Sequence, residues 1–217
     1  MTARIRVLIA DDHGVVAEGL RYLIDAQSDM EVIGCVPDGR EAIHAAAESG
    51  PDVVVMDIAM PELNGTEATR LICERQPQSR VLVLSMFSDS EHVLRALQAG
   101  ATGYVLKKSV GKDLVDAIRN VHGGRRYLSR TLVDGVLTQV AAGKSAQDPL
   151  AQLSSRERQV LQMLAEGHAV TAIAATLSLS AKTVETYRSR MMNKLGIHDI
   201  AGLVRFAIRR GLSSIDN

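Results

Sequence analysis

The sequence predicts two domains of different class: a doubly wound α/β domain with a five-stranded parallel sheet, and an all-α domain of four helices. In the first part of the chain, short and nearly continuous apolar segments alternate with segments of helical periodicity, which is typical of a parallel sheet covered on both faces. Residues 141–151 are small and polar, and beyond them the periodicity is purely helical. We therefore place the first domain at 1–127, a linker helix and flexible linker at 128–151, and the second domain at 152–217.

The strands of the first domain are runs of aliphatic residues, and a helix of amphipathic pattern follows each of them. The strands are expected at residues 6–10, 31–36, 53–56, 80–84 and 103–106. The helices are expected at residues 15–26, 38–49, 65–76, 89–99 and 112–122, with a further helical pattern over 128–140. Asp38 can cap the second helix, and the pair Gly123-Gly124 ends the fifth.

The four helices of the second domain are delimited by capping residues and glycines. Ser154 and Glu157 form a capping box at the start of the first, and Ser180 can cap the third. The helices are expected at residues 154–165, 170–177, 181–195 and 200–210.

The amino-acid composition of the chain excludes several classes of function. Aromatic residues make up 3% of the chain and tryptophan is absent, which excludes an aromatic stacking platform for single-stranded nucleic acid. The two cysteines, Cys35 and Cys73, are too far apart for a zinc or redox motif, and they fit a reducing, cytoplasmic compartment. The apolar run after Arg6 is too short for a signal peptide, and no uncharged apolar stretch approaches 18 residues. We therefore expect no association with a membrane.

The net charge of zero is a cancellation between the two parts of the chain. Residues 1–127 contain 14 basic and 18 acidic residues, a net charge of −4, whereas residues 128–217 contain 11 and 7, a net charge of +4. An acidic first domain and a basic second domain are compatible with a metal site in one and a nucleic-acid surface in the other.

Polar residues follow four of the five predicted strands at their carboxyl ends. They are Asp11, Asp12, Asp57, Ser85 and Lys107. In open α/β sheets this edge is where ligands bind. Three carboxylates gathered there repel each other unless a cation intervenes, and Mg²⁺ prefers such oxygen ligands. With an ammonium group and a hydroxyl beside them, these carboxylates predict a site for phosphoryl transfer to Asp57.

Each of these residues alone has a simpler structural interpretation, since paired aspartates after a strand are often turn or cap residues. The joint pattern at four strand ends favours the functional interpretation. The motifs of nucleotide-binding loops and of acyl hydrolases are absent from the sequence. His13 follows the aspartate pair, but no second histidine lies at metal-ligand spacing, so we expect a structural role for it.

Residues 5–124 resemble the receiver domain of two-component response regulators. The residues that carry this resemblance are Asp11-Asp12, Asp57, Met60-Pro61, Asn64-Gly65, Ser85, Gly103-Tyr104 and Leu106-Lys107. The resemblance implies that Asp57 accepts a phosphoryl group from a phosphohistidine on a sensor histidine kinase. It implies that Asp12 and Asp57 bind Mg²⁺ directly, with the backbone carbonyl of Ala59 and, through water, Asp11. Lys107 and Ser85 would contact the phosphoryl group, and Tyr104 would turn inward behind Ser85.

The predicted helix over 181–195 packs through one face and presents short polar groups on the other. A helical wheel places Val184, Tyr187, Met191 and Leu195 on the packed face. A short helix, a turn and this longer helix follow helix-turn-helix order, in which such polar groups suit bases and phosphates of the major groove. The candidate DNA-contacting residues are Lys182, Thr183, Glu185, Thr186, Arg188, Ser189 and Arg190.

Residues 153–211 resemble the four-helix LuxR-type DNA-binding domain. The matching residues are Leu153-Ser-Ser-Arg-Glu157, Val160-Leu161, Ala165-x-Gly167, Ile173-Ala174, Leu177, Leu179-Ser180, Thr183-Val184 and Lys194-Leu195-Gly196. The order of the two domains is that of the NarL/FixJ response regulators. This family implies that the helix over 181–195 is the recognition helix and that the last helix contributes to dimerisation on double-stranded DNA.

The resulting hypothesis is a cytoplasmic transcription regulator that is a homodimer when phosphorylated, with RNA polymerase as a further partner. The chain would not be an enzyme, beyond assisting transfer to Asp57 and hydrolysis there. One alternative is a Mg²⁺-dependent phosphohydrolase, but Ala59 stands where such an enzyme would need a second aspartate. Another is a regulator of a protein partner, because residues 169–172, at the start of the helix before the recognition helix, contain no basic residue.

Overall fold

A computed structural model describes residues 4–141 and 149–212 of the chain. The chain divides into two compact units at residues 142–143, and each unit is described separately. In the described residues, no helix combines the length and the apolar composition that a transmembrane span requires.

Within residues 4–141, the first unit contains a parallel sheet of six strands in the order β2-β1-β3-β4-β5-β6. The strands are β1 (Ile5–Ala10), β2 (Met30–Val36), β3 (Val53–Asp57), β4 (Arg80–Ser85), β5 (Gly103–Leu106) and β6 (Tyr127–Leu128). The three central strands β1, β3 and β4 are almost wholly buried, as their continuous apolar sequences predict. The doubly wound parallel α/β class is confirmed.

Helices cover both faces of this sheet. They are α1 (Gly14–Asp25), α2 (Gly39–Ser49), α3 (Gly65–Arg75), α4 (Ser90–Gln98), α5 (Val110–His122) and α6 (Arg130–Ala141). Asp38, Asn64 and Asp89 each precede a helix and accept hydrogen bonds from its first backbone N–H groups. Two apolar cores result, one on each face of the sheet, and alternate residues of the strands contribute to one or the other.

The sheet has six strands, so the prediction of five was wrong by one short strand. The turn at Gly124 (φ 78°) reverses the chain after α5 and brings Tyr127 and Leu128 alongside β5. The backbone N–H of Tyr127 donates to Thr102 and that of Ser129 donates to Tyr104. Two residues are too few to show a strand periodicity, which is why the sequence pattern there indicates only the helix that follows.

Helix α6, which we assigned to the linker, packs against α4 of the first unit. Its residues Leu132 and Val136 are buried in the same core as Val93 and Ala96 of α4. The other end of the predicted linker contains a 3₁₀ turn at Pro149–Gln152, while residues 142–148 lie outside the described residues. The predicted domain boundaries at 127 and 151 remain predictions.

Residues 149–212, the described part of the second unit, contain four α-helices, as predicted. They are α7 (Ser155–Ala165), α8 (Val170–Thr176), α9 (Ala181–Leu195) and α10 (Ile200–Arg209). The predicted capping box is present at the start of α7, where Ser154 and Glu157 bond each other's backbone N–H. The Glu157 carboxylate also accepts a hydrogen bond from Lys194 Nζ of α9 at 2.7 Å. This partly buried interaction links the start of α7 to the end of α9.

Candidate functional site

The predicted strand-end residues lie together at one edge of the sheet. Asp57 is the last residue of β3 and Ser85 the last of β4, while Asp11 and Lys107 directly follow β1 and β5. The register pairs Ser85 with Leu106, so that Lys107 emerges next to the end of β4. Parallel strands bring their carboxyl ends to the same edge, which is why residues so distant in sequence meet.

Lys107 connects two of the carboxylates. Its Nζ lies 2.7 Å from Oδ2 of Asp57 and 2.8 Å from Oδ2 of Asp11. Burial lowers the pKa of the Lys107 ammonium, but the charges and hydrogen bonds of Asp57 and Asp11 outweigh burial and raise it. A positive charge is therefore held between two buried acids.

Asp57 is almost completely buried, and its Oδ1 accepts a hydrogen bond from the N–H of Ile58 at 2.7 Å. Burial raises the pKa of this carboxyl from 3.8 to about 6; Lys107 opposes the rise, while Asp11 and Asp12 add to it. An additional cation near these carboxylates would lower the pKa of Asp57 and favour its anionic form.

The composition of the cluster fits a divalent cation. Ligand atoms of Asp11, Asp12, His13 and Asp57 all lie within 4.8 Å of one another. Three carboxylates form the oxygen-rich ligand set that Mg²⁺ prefers, and Ala59 follows two residues after Asp57 in the next loop. His13 lies closer to the acids than its predicted structural role suggests, with Nδ1 2.8 Å from Oδ1 of Asp12. Its ring is largely exposed, at the outer side of the cluster.

The loop after β3 is packed directly against the backbone of Asp57. A Cβ atom at Gly65 would lie 1.7 Å from the carbonyl oxygen of Asp57, so only glycine fits there. Asn64 is buried beside it and caps α3 by accepting from the N–H of Glu67 at 3.0 Å. The start of α3 thus packs closely against the end of β3, where Asp57 lies.

Ser85 and Tyr104 are connected through the backbone of Phe87. Ser85 Oγ accepts a hydrogen bond from the N–H of Phe87 at 3.1 Å, and Tyr104 Oη donates to its carbonyl at 2.8 Å. Tyr104 is fully buried, and burial raises the pKa of its phenol. A displacement of Ser85 would therefore also affect Phe87, whose backbone carbonyl accepts the hydrogen bond from Tyr104.

The Phe87 ring stacks on the imidazole of His92. Sequence patterns alone did not indicate a role for His92. The ring centroids are 4.4 Å apart with planes 8° from parallel, and His92 Nδ1 lies 2.6 Å from Oδ2 of Asp89. Asp89 also caps α4. The signal for His92 in the sequence was its position three residues after the capping residue Asp89. Its contact with Phe87 could not be predicted, because that contact depends on the conformation of the loop before α4.

In the second unit, the predicted recognition helix α9 has the orientation that its helical wheel indicates. Val184 and Met191 are buried against the other helices, and Tyr187 and Leu195 pack beside them. The exposed candidates are Lys182, Thr186, Ser189 and Arg190, while Thr183, Glu185 and Arg188 are partly buried. Ser180 caps the helix, and its Oγ accepts from the N–H of Thr183 at 3.1 Å. All seven predicted DNA-contacting residues lie on α9, and their contacts with DNA stay a prediction.

Helix α8, which precedes α9, presents few polar groups. Its cap residue Ala169 makes no side-chain cap hydrogen bond, and its exposed residues include Thr171, Ala172 and Ala175. On the described part of this helix the sequence contains no basic residue. The positive groups of the helix pair are therefore carried by α9.

Comparison with known proteins places both units in families. The response regulator receiver domain matches residues 7–119, and the luxR family of bacterial regulatory proteins matches residues 151–207. The chain is 40% identical over 213 residues to the uncharacterized transcriptional regulatory protein YhcZ of Bacillus subtilis, covering 96% of this chain and 98% of that protein. It is 36% identical over 215 residues to the oxygen regulatory protein NreC of Staphylococcus epidermidis, covering 96% and 99%.

A solved structure of two RcsB dimers bound to two parallel DNAs is also similar. Its TM-score is 0.59 at 27% identity, and the match covers 94% of this chain and 97% of that one. The matches span both units in the same order. The chain belongs to the NarL/FixJ-type two-component response regulators, with a receiver domain in its first unit and a LuxR-type DNA-binding domain in its second.

Proposed function

We propose that Asp57 accepts a phosphoryl group from a sensor histidine kinase, and that its phosphorylation controls dimerisation and sequence-specific binding of double-stranded DNA. The observation that carries this proposal is the bridge from Lys107 to both Asp57 and Asp11 at the carboxyl edge of the sheet. A carboxylate held beside a fixed ammonium group and two further acids is a site for phosphoryl transfer, which depends mainly on positioning and charge neutralisation.

In the proposed step, an Oδ atom of Asp57 forms a bond to phosphorus while the phosphorus–nitrogen bond of the phosphohistidine breaks. The electron pair of that bond stays on the histidine nitrogen, which is left as neutral imidazole once a proton is taken up. Lys107 Nζ, already 2.7 Å from Oδ2 of Asp57, would neutralise charge on the transferred group.

Asp11, Asp12, Asp57 and the carbonyl of Ala59 are the groups that we assign to a Mg²⁺ site. The clustering of the three carboxylates supports this assignment. When bound, Mg²⁺ supplies positive charge that stabilises phosphoryl oxygens during transfer. The aspartates would orient the ion, and Asp57 would also be the acceptor.

Ser85 and Tyr104 are the residues through which we propose that phosphorylation is detected. A phosphoryl group on Asp57 adds strong acceptor oxygens, and Ser85 Oγ would turn to donate to one of them. This would weaken the contact between Ser85 and the N–H of Phe87, the same residue whose carbonyl holds Tyr104. Tyr104, which is already fully buried, would then shift within the space behind Ser85.

We further propose that the receiver acts on its own Asp57 and is not an enzyme for other substrates. Ala59 provides no general acid two residues after the acceptor, which supports this proposal over a phosphohydrolase.

The proposed DNA-contacting residues are those of α9: Lys182, Thr183, Glu185, Thr186, Arg188, Ser189 and Arg190. Their position on the exposed side and margins of a capped helix supports this role. The RcsB dimers on DNA in the similar structure support a homodimer as the bound form. RNA polymerase is the further partner proposed for a transcription regulator, and the cytoplasm is the proposed location.

Phosphorylation is tested with the full chain, a small phosphodonor such as acetyl phosphate, and Mg²⁺. We expect one phosphoryl group per chain by intact-mass spectrometry, none on Asp57→Asn, and normal labelling of Asp116→Asn, whose carboxylate is exposed on α5. Phosphate gained by Asp57→Asn would show that another residue is the acceptor.

DNA binding is tested by retention on random duplex DNA at low salt. We expect retention to fall steeply as salt rises, because basic side chains displace counterions from phosphates. Absence of retention would favour the alternative in which the second domain regulates a protein partner.

A further inference from the structure

Glu185 is the single acidic residue of α9, and it lies in the half of the helix that faces base edges in helix-turn-helix proteins. Backbone phosphates repel a carboxylate in that position. Such a residue lowers sequence-independent affinity unless it meets a hydrogen-bond donor in the groove. An acid among basic and neutral neighbours therefore points to recognition of a particular base.

Arg188, on the next turn, holds the carboxylate of Glu185. Its NH2 nitrogen lies 2.7 Å from Oε2 of Glu185, and 36% of the Arg188 side chain and 44% of the Glu185 side chain are exposed. The ion pair offsets the negative charge that the phosphates would meet, and it restricts the rotamers of Glu185. A carboxylate has about four acceptor positions, so one bond to Arg188 leaves others for a base.

Thr186, the neighbour of Glu185, has its hydroxyl hydrogen engaged within the helix. Its Oγ1 donates to the carbonyl of Lys182 at 2.8 Å, and the side chain is otherwise exposed. In this arrangement Thr186 can offer its methyl group and a lone pair of Oγ1 to the groove. The acceptor best placed for a base amino group at this level of the helix is therefore Glu185.

Two amino groups are exposed in the major groove, N4 of cytosine and N6 of adenine. Adenine presents the acceptor N7 beside its amino group, which repels a carboxylate, whereas cytosine presents the N4 donor alone. We propose that Glu185 recognises a cytosine in each half-site of the target DNA and that Arg188 is its positioning residue. This inference rests on the proposed DNA-binding function and adds to it the identity of one base that the protein recognises.

The experiment is selection of bound sequences from a duplex library with about 20 randomised base pairs. The full chain is used with acetyl phosphate and Mg²⁺. We expect a cytosine at one fixed position of each half-site, preferred roughly tenfold over other bases, since a specific base contact commonly gives that degree of discrimination. Glu185→Gln, which keeps the shape of the side chain, should lose this preference or change it to adenine, because an amide pairs with adenine N6 and N7.

The matched control is Glu48→Gln, which changes an exposed glutamate whose Oε2 lies 3.3 Å from Nδ1 of His44, one turn away on α2 of the receiver. It should select the same sequences as the unmodified protein. Arg188→Ala should weaken the cytosine preference without changing the preferred base. A uniform loss of affinity with the preference intact would show that Arg188 contacts only phosphate and does not position Glu185, and would overturn its positioning role.

An unchanged cytosine in sequences selected by Glu185→Gln, or selected sites without a fixed cytosine, would overturn the inference about Glu185. These results leave DNA binding itself intact, because enrichment of any sequence demonstrates it. If neither protein enriches any sequence nor binds random duplex DNA at low salt, the DNA-binding function fails, and the inference fails with it.

Discussion

The two candidate sites of this protein are built in opposite ways. In the receiver, Asp11, Asp57 and Ser85 are 1–4% exposed, and each of them contacts Lys107 or a backbone N–H group. On α9, the side chains proposed to meet DNA are exposed or only partly buried. A buried charged site cannot be altered without changing the stability of the fold, whereas an exposed helix face can. Chemistry and stability are therefore coupled in one domain and separable in the other.

Gly65→Ala should have the largest effect on stability, because the added methyl group disrupts the close packing between the loop after β3 and the backbone of Asp57. The added Cβ would lie 1.7 Å from the Asp57 carbonyl oxygen. We expect the free energy of unfolding of the receiver to fall by roughly 3 kcal/mol or more, measured by urea denaturation. Gly19→Ala is the control: no atom lies within 4 Å of its added Cβ in helix α1, and it should gain about 1 kcal/mol. Equal effects of the two substitutions would contradict this interpretation of Gly65.

Asp57→Asn should stabilise the receiver at neutral pH when EDTA is present. The pKa of Asp57 in the fold, about 6, lies above its ordinary value of 3.8, so ionisation costs free energy in the folded state. That cost is absent near pH 4 and develops fully above pH 6. The variant should therefore exceed the unmodified protein by roughly 2 kcal/mol at pH 7 and by little at pH 4, in urea denaturation. A variant less stable at pH 7 would contradict the prediction.

Glu157→Gln tests a buried carboxylate in the DNA-binding domain. Burial raises the pKa of Glu157, but hydrogen bonds from Lys194 and Ser154 outweigh burial and hold it below the usual 4.5. The ionised form therefore stabilises the fold at neutral pH, and this contribution is lost as pH falls through the lowered pKa. We expect a loss of about 1–2 kcal/mol at pH 7 that diminishes in acid, measured by thermal denaturation.

The matched control for this variant is Glu185→Gln, which breaks the partly exposed pair with Arg188 in the same domain. It should change the stability by about 0.5 kcal/mol or less, since exposed ion pairs contribute little. If Glu185→Gln destabilised the domain as much as Glu157→Gln, the expected difference between buried and exposed carboxylates would be contradicted.

Arg190→Ala should have the smallest effect on stability, within about 0.5 kcal/mol. It should nevertheless reduce the slope of log K against log salt on random duplex DNA by about 1, which is the loss of one phosphate contact. Arg75→Ala, at an exposed position of the receiver, should leave the slope unchanged. If Arg190→Ala failed to fold, side chains on the exposed face of α9 could not be changed independently of stability, contrary to this prediction.

The parts of the molecule that sequence predicted well are those determined by local patterns. The continuous apolar runs of β1, β3 and β4 indicate buried parallel strands, and polar residues at their ends must then meet at one edge. The capping box at Ser154 and Glu157 marks the start of α7 directly. Helix α9 begins at Ala181 and ends at Leu195 as its periodicity and flanking glycine predict.

The parts that sequence did not predict depend on contacts between distant segments. The strand Tyr127–Leu128 forms because the chain returns to β5, and its own two residues have no periodicity to detect. Glu157 is recognisable as a capping residue, but its bond to Lys194 requires the packing of two helices. The stack of Phe87 on His92 likewise depends on the shape of the loop before α4.

The packing of α6 on α4 has a consequence for how such regulators exchange domains. The family match of the receiver ends at residue 119, yet β6 and α6 complete its sheet and cover Val93 and Ala96. A hybrid gene joined at residue 119 would encode a receiver with an unpaired sheet edge and an uncovered apolar core. We therefore expect the transferable module, whether in natural recombination or in a laboratory chimera, to extend to about residue 141.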